Sequence, residues 1–177
     1  MRSFGDPALR IPAIPVEFFD ASLQKEVREI KRILKKSGGV GLAATQVGVM
    51  HRLFLICPEH EGRVHTIVNP QVEKISKNTE VGMESCLSIP GVSVTVERAC
   101  SLTLCAQDVQ GRPLRFEAEG WVARIIQHEI DHLNGVLILD RCLREERRKF
   151  LLSMVEGSQL FADLSVFGCS SAPLFRV

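Results

Sequence analysis

The densest chemistry in this 177-residue chain lies in His128-Glu129-Ile130-Asp131-His132, where two of its five histidines stand four positions apart around a glutamate. On a helix, positions i and i+4 share a face about one turn apart, so both imidazoles can reach a single metal ion. Stepping about 100° per residue from Trp121 to Leu133 groups His128, Glu129 and His132 with Trp121, Val122, Ile125, Ile126 and Leu133. Arg124, Gln127 and Asp131 fall on the opposite, polar side. Two imidazoles and a carboxylate are costly to bury in an apolar stripe unless a cation compensates them. The competing reading is an ordinary helix with two hydrogen-bonded histidines; the apolar surroundings favour the metal.

A catalytic metal held by such a pair needs at least one more protein ligand and an open position. No third histidine follows at the extended spacing of the metzincin proteases. His51, His60 and His65 lie upstream in strand or turn contexts and read as surface residues. Glutamates of the Arg144–Glu146 region could serve, as could a cysteine thiolate. Cys57, Cys100 and Cys105 sit in apolar strands and read as small core residues. Cys86 lies in Met83–Gly91, a polar segment ending in a turn. Neither periodicity nor spacing chooses among these candidates.

The elements that must position this chemistry are legible in outline. Asp20 or Ser22 can cap a helix running to Lys36, with Leu23, Val27, Ile30 and Leu34 on one face and Gly38-Gly39 stopping it. Ile11–Pro15 is a stiff, extended opening. Gly39–Gly48 follows a helix and lacks the lysine of a phosphate-binding loop, so nucleotide binding is disfavoured. Its small residues let backbone and Gln46 approach something closely. Arg52–Cys57, Val64–Asn69, Val72–Ile75 and Val92–Val96 read as strands. Ser101–Gln107 and Pro113–Ala118 form a hairpin around Asp108–Gly111. The central helix spans Gly120–Asn134 with Gly135 just past its end, and a last helix covers Arg141–Val155. These elements predict an α+β fold: antiparallel β-sheets packed around the metal-binding helix, with N-terminal and C-terminal helices. One domain over residues 1–177 is expected, with residues 157–177 unassigned.

Composition narrows the class further. Twenty-two basic residues against 21 acidic ones give a net charge of +1, so bulk electrostatics predict no DNA binding. No apolar run approaches a membrane span, and the opening lacks the apolar core of a signal peptide. Six cysteines without a CxxC pair read as reduced thiols.

Three segments settle the third ligand by resemblance. Gly39-x-Gly41-Leu42-Ala43-Ala44-x-Gln46, Glu84-x-Cys86-Leu87-Ser88 and Gln127-His128-Glu129-x-Asp131-His132-Leu133 resemble the three motifs of the peptide deformylases, in that family's order and approximate spacing. Gly5-Asp6-Pro7-x-Leu9-Arg10 resembles the family's start, so the likeness runs to about Asp140. Two departures stand out. Ser85 replaces the commoner glycine, and the leading segment that many members carry before Gly5 is missing.

The resemblance implies Cys86, His128 and His132 as ligands of one divalent metal, Fe(II) in the family, with Zn, Ni or Co able to substitute. It implies hydrolysis of the N-formyl group of N-formyl-methionyl peptides, with Glu129 moving the proton. The Gln46 amide and the Leu87 N–H would be oxyanion donors, and Gly41 would belong to the same wall. Glu84 and Asp131 would support the ligands. Val40, Trp121, Ile125 and the ring of His128 would line the methionine slot, with peptide backbone pairing along the edge at Gly82–Glu84. A zincin-type endopeptidase and a lapsed, binding-only homologue are the alternatives; neither accounts for all three motifs with Gln46, Cys86 and Glu129 intact. Arg141–Lys149 reads either as a ribosome-docking helix or as a solvated face interleaved with acids. The expected location is the bacterial cytoplasm, with an organellar mature chain as the alternative.

Overall fold

The computed structural model describes residues 1–58 and 62–155. The tail at 157–177 and His60 lie outside the described residues. A 3-10 turn at Pro7–Arg10 opens the fold, with the Asp6 carboxylate accepting from the Ala8 N–H. Helix α1 (Ala21–Ser37) follows. Asp20 caps it by accepting from the N–H groups of Ser22 and Leu23, and Gly38 ends it at φ 68°. Leu23, Val27, Ile30 and Leu34 form its buried face.

The expected Gly-rich approach segment resolves into a short strand β1 (Gly41–Ala43) and a 3-10 turn at Ala44–Val47. Strands β2 (Leu53–Ile56) and β3 (His65–Ile75) come next; β3 joins two stretches expected as separate strands, with register irregularities between them. β4 (Thr79–Cys86) was not expected, because its polar, Glu-rich composition hides a strand that buries only Glu84 and Cys86. β5 (Ile89–Ala99) is longer than its Val92–Val96 kernel. β6 (Ser101–Gln107) and β7 (Pro113–Glu119) make the expected hairpin. Helix α2 spans Gly120–Leu133. The expected last helix, Arg141–Val155, begins only at Arg144 (α4, Arg144–Val155); a short helix α3 (Ile138–Arg141), not expected, precedes it, and the backbone of Cys142 between them bridges to Val96 of β5.

All strand pairings are antiparallel. One sheet has the order β1-β2-β3-β6-β7; β4 and β5 form a separate ribbon. α2 lies between the two, which makes this the α+β arrangement expected, with sheets packed around a central helix. On one side Ala123, Ile125, Ile126 and Leu133 pack with Phe54, Ile67, Leu102 and Leu104 of the large sheet. On the other, Arg124 of α2 donates to the Val96 and Glu80 carbonyls of the ribbon, whose Val94 and Val96 pack with Leu9, Leu137, Ile138 and Phe150. Two-sided burial explains why the single-stripe reading of α2 was too narrow. Arg124 and Asp131, assigned to a polar outer side, are 8% and 6% exposed. No described helix is long and apolar enough to cross a membrane.

The end of α2 is fixed to the N-terminal segment. Gly135 adopts φ 72°, and a Cβ there would come within 2.5 Å of the Arg10 carbonyl oxygen. Arg10 in turn pairs with Asp140 and donates to the Gly135 carbonyl. Gly135→Ala must therefore pay for a left-handed backbone and displace another backbone atom. We expect a loss of about 2–3 kcal/mol, read as a lower urea midpoint at unchanged slope.

Candidate active site

α2 carries His128 and His132 one turn apart, and the end of β4 brings Cys86 to them. The three donor atoms lie within 4.8 Å of one another, and all three residues are buried. Cys86 Sγ is 3.2 Å from His132 Nε2. The other cysteine candidates behave differently: Cys57, Cys100 and Cys105 are partly exposed rather than core, and Cys105 Sγ sits 3.5 Å from Glu73. Of the glutamates considered as third ligand, Glu146 accepts from the backbone N–H and the hydroxyl of Thr95, and Glu145 pairs with Lys149. Neither reaches the histidines. His51 bonds Glu26 at 2.8 Å, and His65 is exposed on β3.

Glu84 orients His128. One of its oxygens sits 3.0 Å from His128 Nδ1, which leaves Nε2 for a metal. Glu84 itself is gripped by Arg98 through two bonds of 2.9 Å and by Arg124 at 3.0 Å. Arg98 continues to Asp131 at 2.6 Å, where Arg141 closes the network at 2.7 Å. Arg124 also donates to the carbonyls of Val96 and Glu80.

Burial alone would raise the Glu84 carboxyl, but Arg98 and His128 hold it well below the usual carboxylate range. Burial would likewise raise the Cys86 thiol; the positive charge and hydrogen bonds of His132 and His128 outweigh it and favour thiolate. His128 is disfavoured as a cation by burial, yet Cys86 and Glu84 push its pKa well up. For Glu129 burial wins, lifting the carboxyl to about 7 against the opposing pull of His128 and His132.

Among the described residues, Glu129 Oε2 and His132 Nδ1 are buried side-chain polar atoms without a hydrogen-bond partner. An unpaired buried carboxylate oxygen costs roughly 1–3 kcal/mol or more and is retained where a ligand supplies the missing contact. A thiolate and two imidazoles, one already oriented through its far nitrogen, suit a divalent transition metal. The residues present fit the group.

Gln46 arrives from the other side of the centre. Its Oε1 accepts from the Ala43 N–H at 2.9 Å, so Nε2 faces Cys86 Sγ at 3.6 Å and Ser88 Oγ at 3.1 Å. Gly41 is required by the packing itself: a Cβ there would lie 2.2 Å from Glu129 Oε1. β1 thus presses against the carboxylate, and only glycine allows it. The side chain of Leu87 packs into the α1 cluster, with its backbone in the turn after Cys86.

A small hollow beside the ligands is lined by Val40, Glu84, Ser85, Trp121, Arg124, Ile125, His128 and Glu129. It contains all four residues suggested for the methionine slot, but not Gly41. Trp121 is 38% exposed at its edge, whereas Ile125 is also part of the core.

The three arginines of the network were missed from sequence. Signals for two were present. Val92, Val94, Val96 and Arg98 share one face of β5, so period-two alternation points Arg98 inward. Arg124 precedes His128 by one helical turn, the same spacing that joins the two histidines.

A family model described as polypeptide deformylase matches residues 1–148. The peptide deformylase of Dictyoglomus turgidum is 43% identical over 145 residues, covering 82% of this chain and 93% of that protein. Peptide deformylase 1 of Corynebacterium glutamicum is 42% identical over 163 residues, covering 91% and 96% respectively. The crystal structure of the Thermotoga maritima peptide deformylase superposes with a TM-score of 0.78 at 41% identity, covering 81% of this chain and 96% of that one. With the metal-ligand geometry and these matches in agreement, the chain belongs to the peptide deformylase family.

Proposed function

We propose that this chain performs its family's reaction, hydrolysis of the N-formyl group from the initiator methionine of nascent polypeptides with release of formate, through one catalytic domain. The observation that carries the assignment of roles is the convergence of Cys86, His128 and His132 beside a buried Glu129 whose Oε2 has no partner. Cys86, His128 and His132 would hold the divalent metal on which the family depends. When bound, such a cation supplies Lewis-acid activation of water and of the formyl oxygen.

The remaining work falls to the chain's own groups. Glu129 Oε2, a buried oxygen with no hydrogen-bond partner, accepts the proton of the attacking water and later delivers one to the departing nitrogen. Gln46 presents Nε2, fixed by the bond from Ala43 N–H to its other end, as a donor to the developing oxyanion. The Leu87 backbone N–H is the second donor. Glu84 and Asp131 hold the ligand frame through Arg98. Val40, Trp121, Ile125 and the ring of His128 receive the unbranched methionine side chain. β4 has a strand partner on one side only, which supports pairing of the peptide backbone near Gly82–Glu84.

Fe(II) is the proposed resident metal, with Zn, Ni or Co as substitutes. The cluster of Arg144, Arg147, Arg148 and Lys149 on α4 supports a transient ribosome contact. Lys149 and Arg147 are partly committed, to Glu145 and Asp140. Bacterial relatives support a bacterial cytoplasmic location.

Cys86→Ala is expected to lose stoichiometric metal by elemental analysis, whereas Cys57→Ala, Cys100→Ala and Cys105→Ala retain it. Full metal in Cys86→Ala would overturn the ligand assignment. Glu129→Ala should keep its metal and lose turnover by about 10²–10⁴-fold; near-normal activity would remove Glu129 from the mechanism. Iron-loaded protein handled in air should lose activity progressively, since an open iron–thiolate centre exposes both metal and sulfur to oxidation, while Ni- or Co-loaded protein persists. On the same preparation, formate release from formyl-Met-Ala-Ser without casein cleavage is the expected pattern. Casein cleavage without formate would instead identify a zincin-like protease.

A further inference from the structure

The chain's first residues reach the active site in a way that the reaction as described does not use. The Arg2 N–H donates to the backbone carbonyl of Gln46 at 2.6 Å, and the Phe4 N–H donates to that of Ser88 at 2.8 Å. Those two acceptors belong to segments far apart in sequence, and their side chains meet where Gln46 Nε2 donates to Ser88 Oγ. No strand pairing joins the two segments: β1 and the turn after it extend from the large sheet, whereas the turn holding Leu87 and Ser88 connects the two strands of the separate ribbon. The site thus straddles a seam between two independently hydrogen-bonded units.

Both ends of the N-terminal segment are tied down. The Arg2 guanidinium lies against Gly48 and pairs with Asp6 at 3.2 Å. The Phe4 ring stands edge-on to Phe150 of α4, with centroids 5.1 Å apart at 87°, and packs into the cluster that contains Cys86.

Resting on the roles given above to Gln46 and Leu87, we infer that Arg2–Phe4 is a positioning element for the reaction: its two main-chain N–H groups clamp the Gln46 segment against the Cys86–Ser88 turn and set the separation of the two oxyanion donors. Oxyanion stabilisation depends on donors being in place before charge develops. A misplacement of about 1 Å can cost about 100-fold in rate. The alternative is that the segment only adds stability, as any docked terminus does.

Proline substitution removes one N–H donor at a time from the full-length, metal-loaded protein. Arg2→Pro and Phe4→Pro should each lower kcat on formyl-Met-Ala-Ser about tenfold, with KM within twofold and metal content unchanged. Arg2→Ala, which keeps the N–H and loses only the guanidinium contacts with Gly48 and Asp6, should lie closer to wild type than Arg2→Pro. A second readout does not depend on the reaction: amide hydrogen exchange should accelerate in both the Gln46–Gly48 and the Leu87–Ile89 segments of each proline variant. Unchanged exchange at either segment overturns the clamp, and so does a kcat within twofold of wild type accompanied only by a lower Tm. If wild-type protein released no formate, the deformylase reading would fall, while the exchange measurements would still decide whether the segment joins the two halves.

Discussion

The ion pair between Glu84 and Arg98 is the contact on which the rest of the site depends. Both side chains are about 5% exposed or less, so neither can rely on solvent for its charge. Removing one partner from a buried pair typically costs about 3–5 kcal/mol because the other charge is stranded. Glu84 spends one oxygen on Arg98 and Arg124 together, and the other on Arg98 and His128. The carboxylate therefore converts a packing relation between the β4–β5 ribbon and α2 into an orientation of one imidazole. Lying two residues before Cys86 on the same strand, it also sets the distance between the thiolate and the helix.

This arrangement explains why the central helix is clamped between two β units rather than resting on one. A single supporting sheet would have left Arg124 and Asp131 in water, where their pairs would contribute little. The ribbon excludes solvent from that side, and both residues become parts of the frame. On the opposite side β1 approaches so closely that Gly41 and Glu129 would collide if a methyl group were added. The helix is thus held by charge on one face and by steric contact on the other, and the ligands lie between.

Much of the metal centre was legible in the sequence because its residues are rare and closely spaced. His128, Glu129 and His132 announce themselves through helical periodicity, and the cap and stop of α1 follow from Asp20 and Gly38. Cys86 was not legible from periodicity, since a cysteine in a polar stretch carries no pattern; only the motif around it singled it out. β4 escaped because its two buried residues are a glutamate and a cysteine, which hydropathy alternation does not flag. The break between α3 and α4 was invisible for another reason: it serves a tertiary bridge from Cys142 to Val96. The N-terminal main-chain donors were missed because backbone hydrogen bonds leave no trace in residue type, and Ser88, though part of the motif around Cys86, carried no role there.

Charge balance ties these features together. In the outer layer, the buried guanidinium groups of Arg98 and Arg124 face the carboxylates of Glu84 and Asp131, and Arg141 joins from the solvent edge with 49% of its side chain exposed. That layer is close to neutral where water cannot reach and leaves its excess positive charge where water can screen it. The inner layer holds the Cys86 thiolate and the Glu129 carboxyl. Alone, two adjacent buried anions would be untenable: burial pushes the Glu129 carboxyl up, and Cys86 and Glu84 push the His128 pKa up. A divalent cation would supply compensation directly to the Cys86 thiolate and the Glu129 carboxylate. Because the buried part of the outer layer is already balanced and its excess charge is screened by water, the inner layer's requirement for positive charge is set by Cys86 and Glu129 themselves.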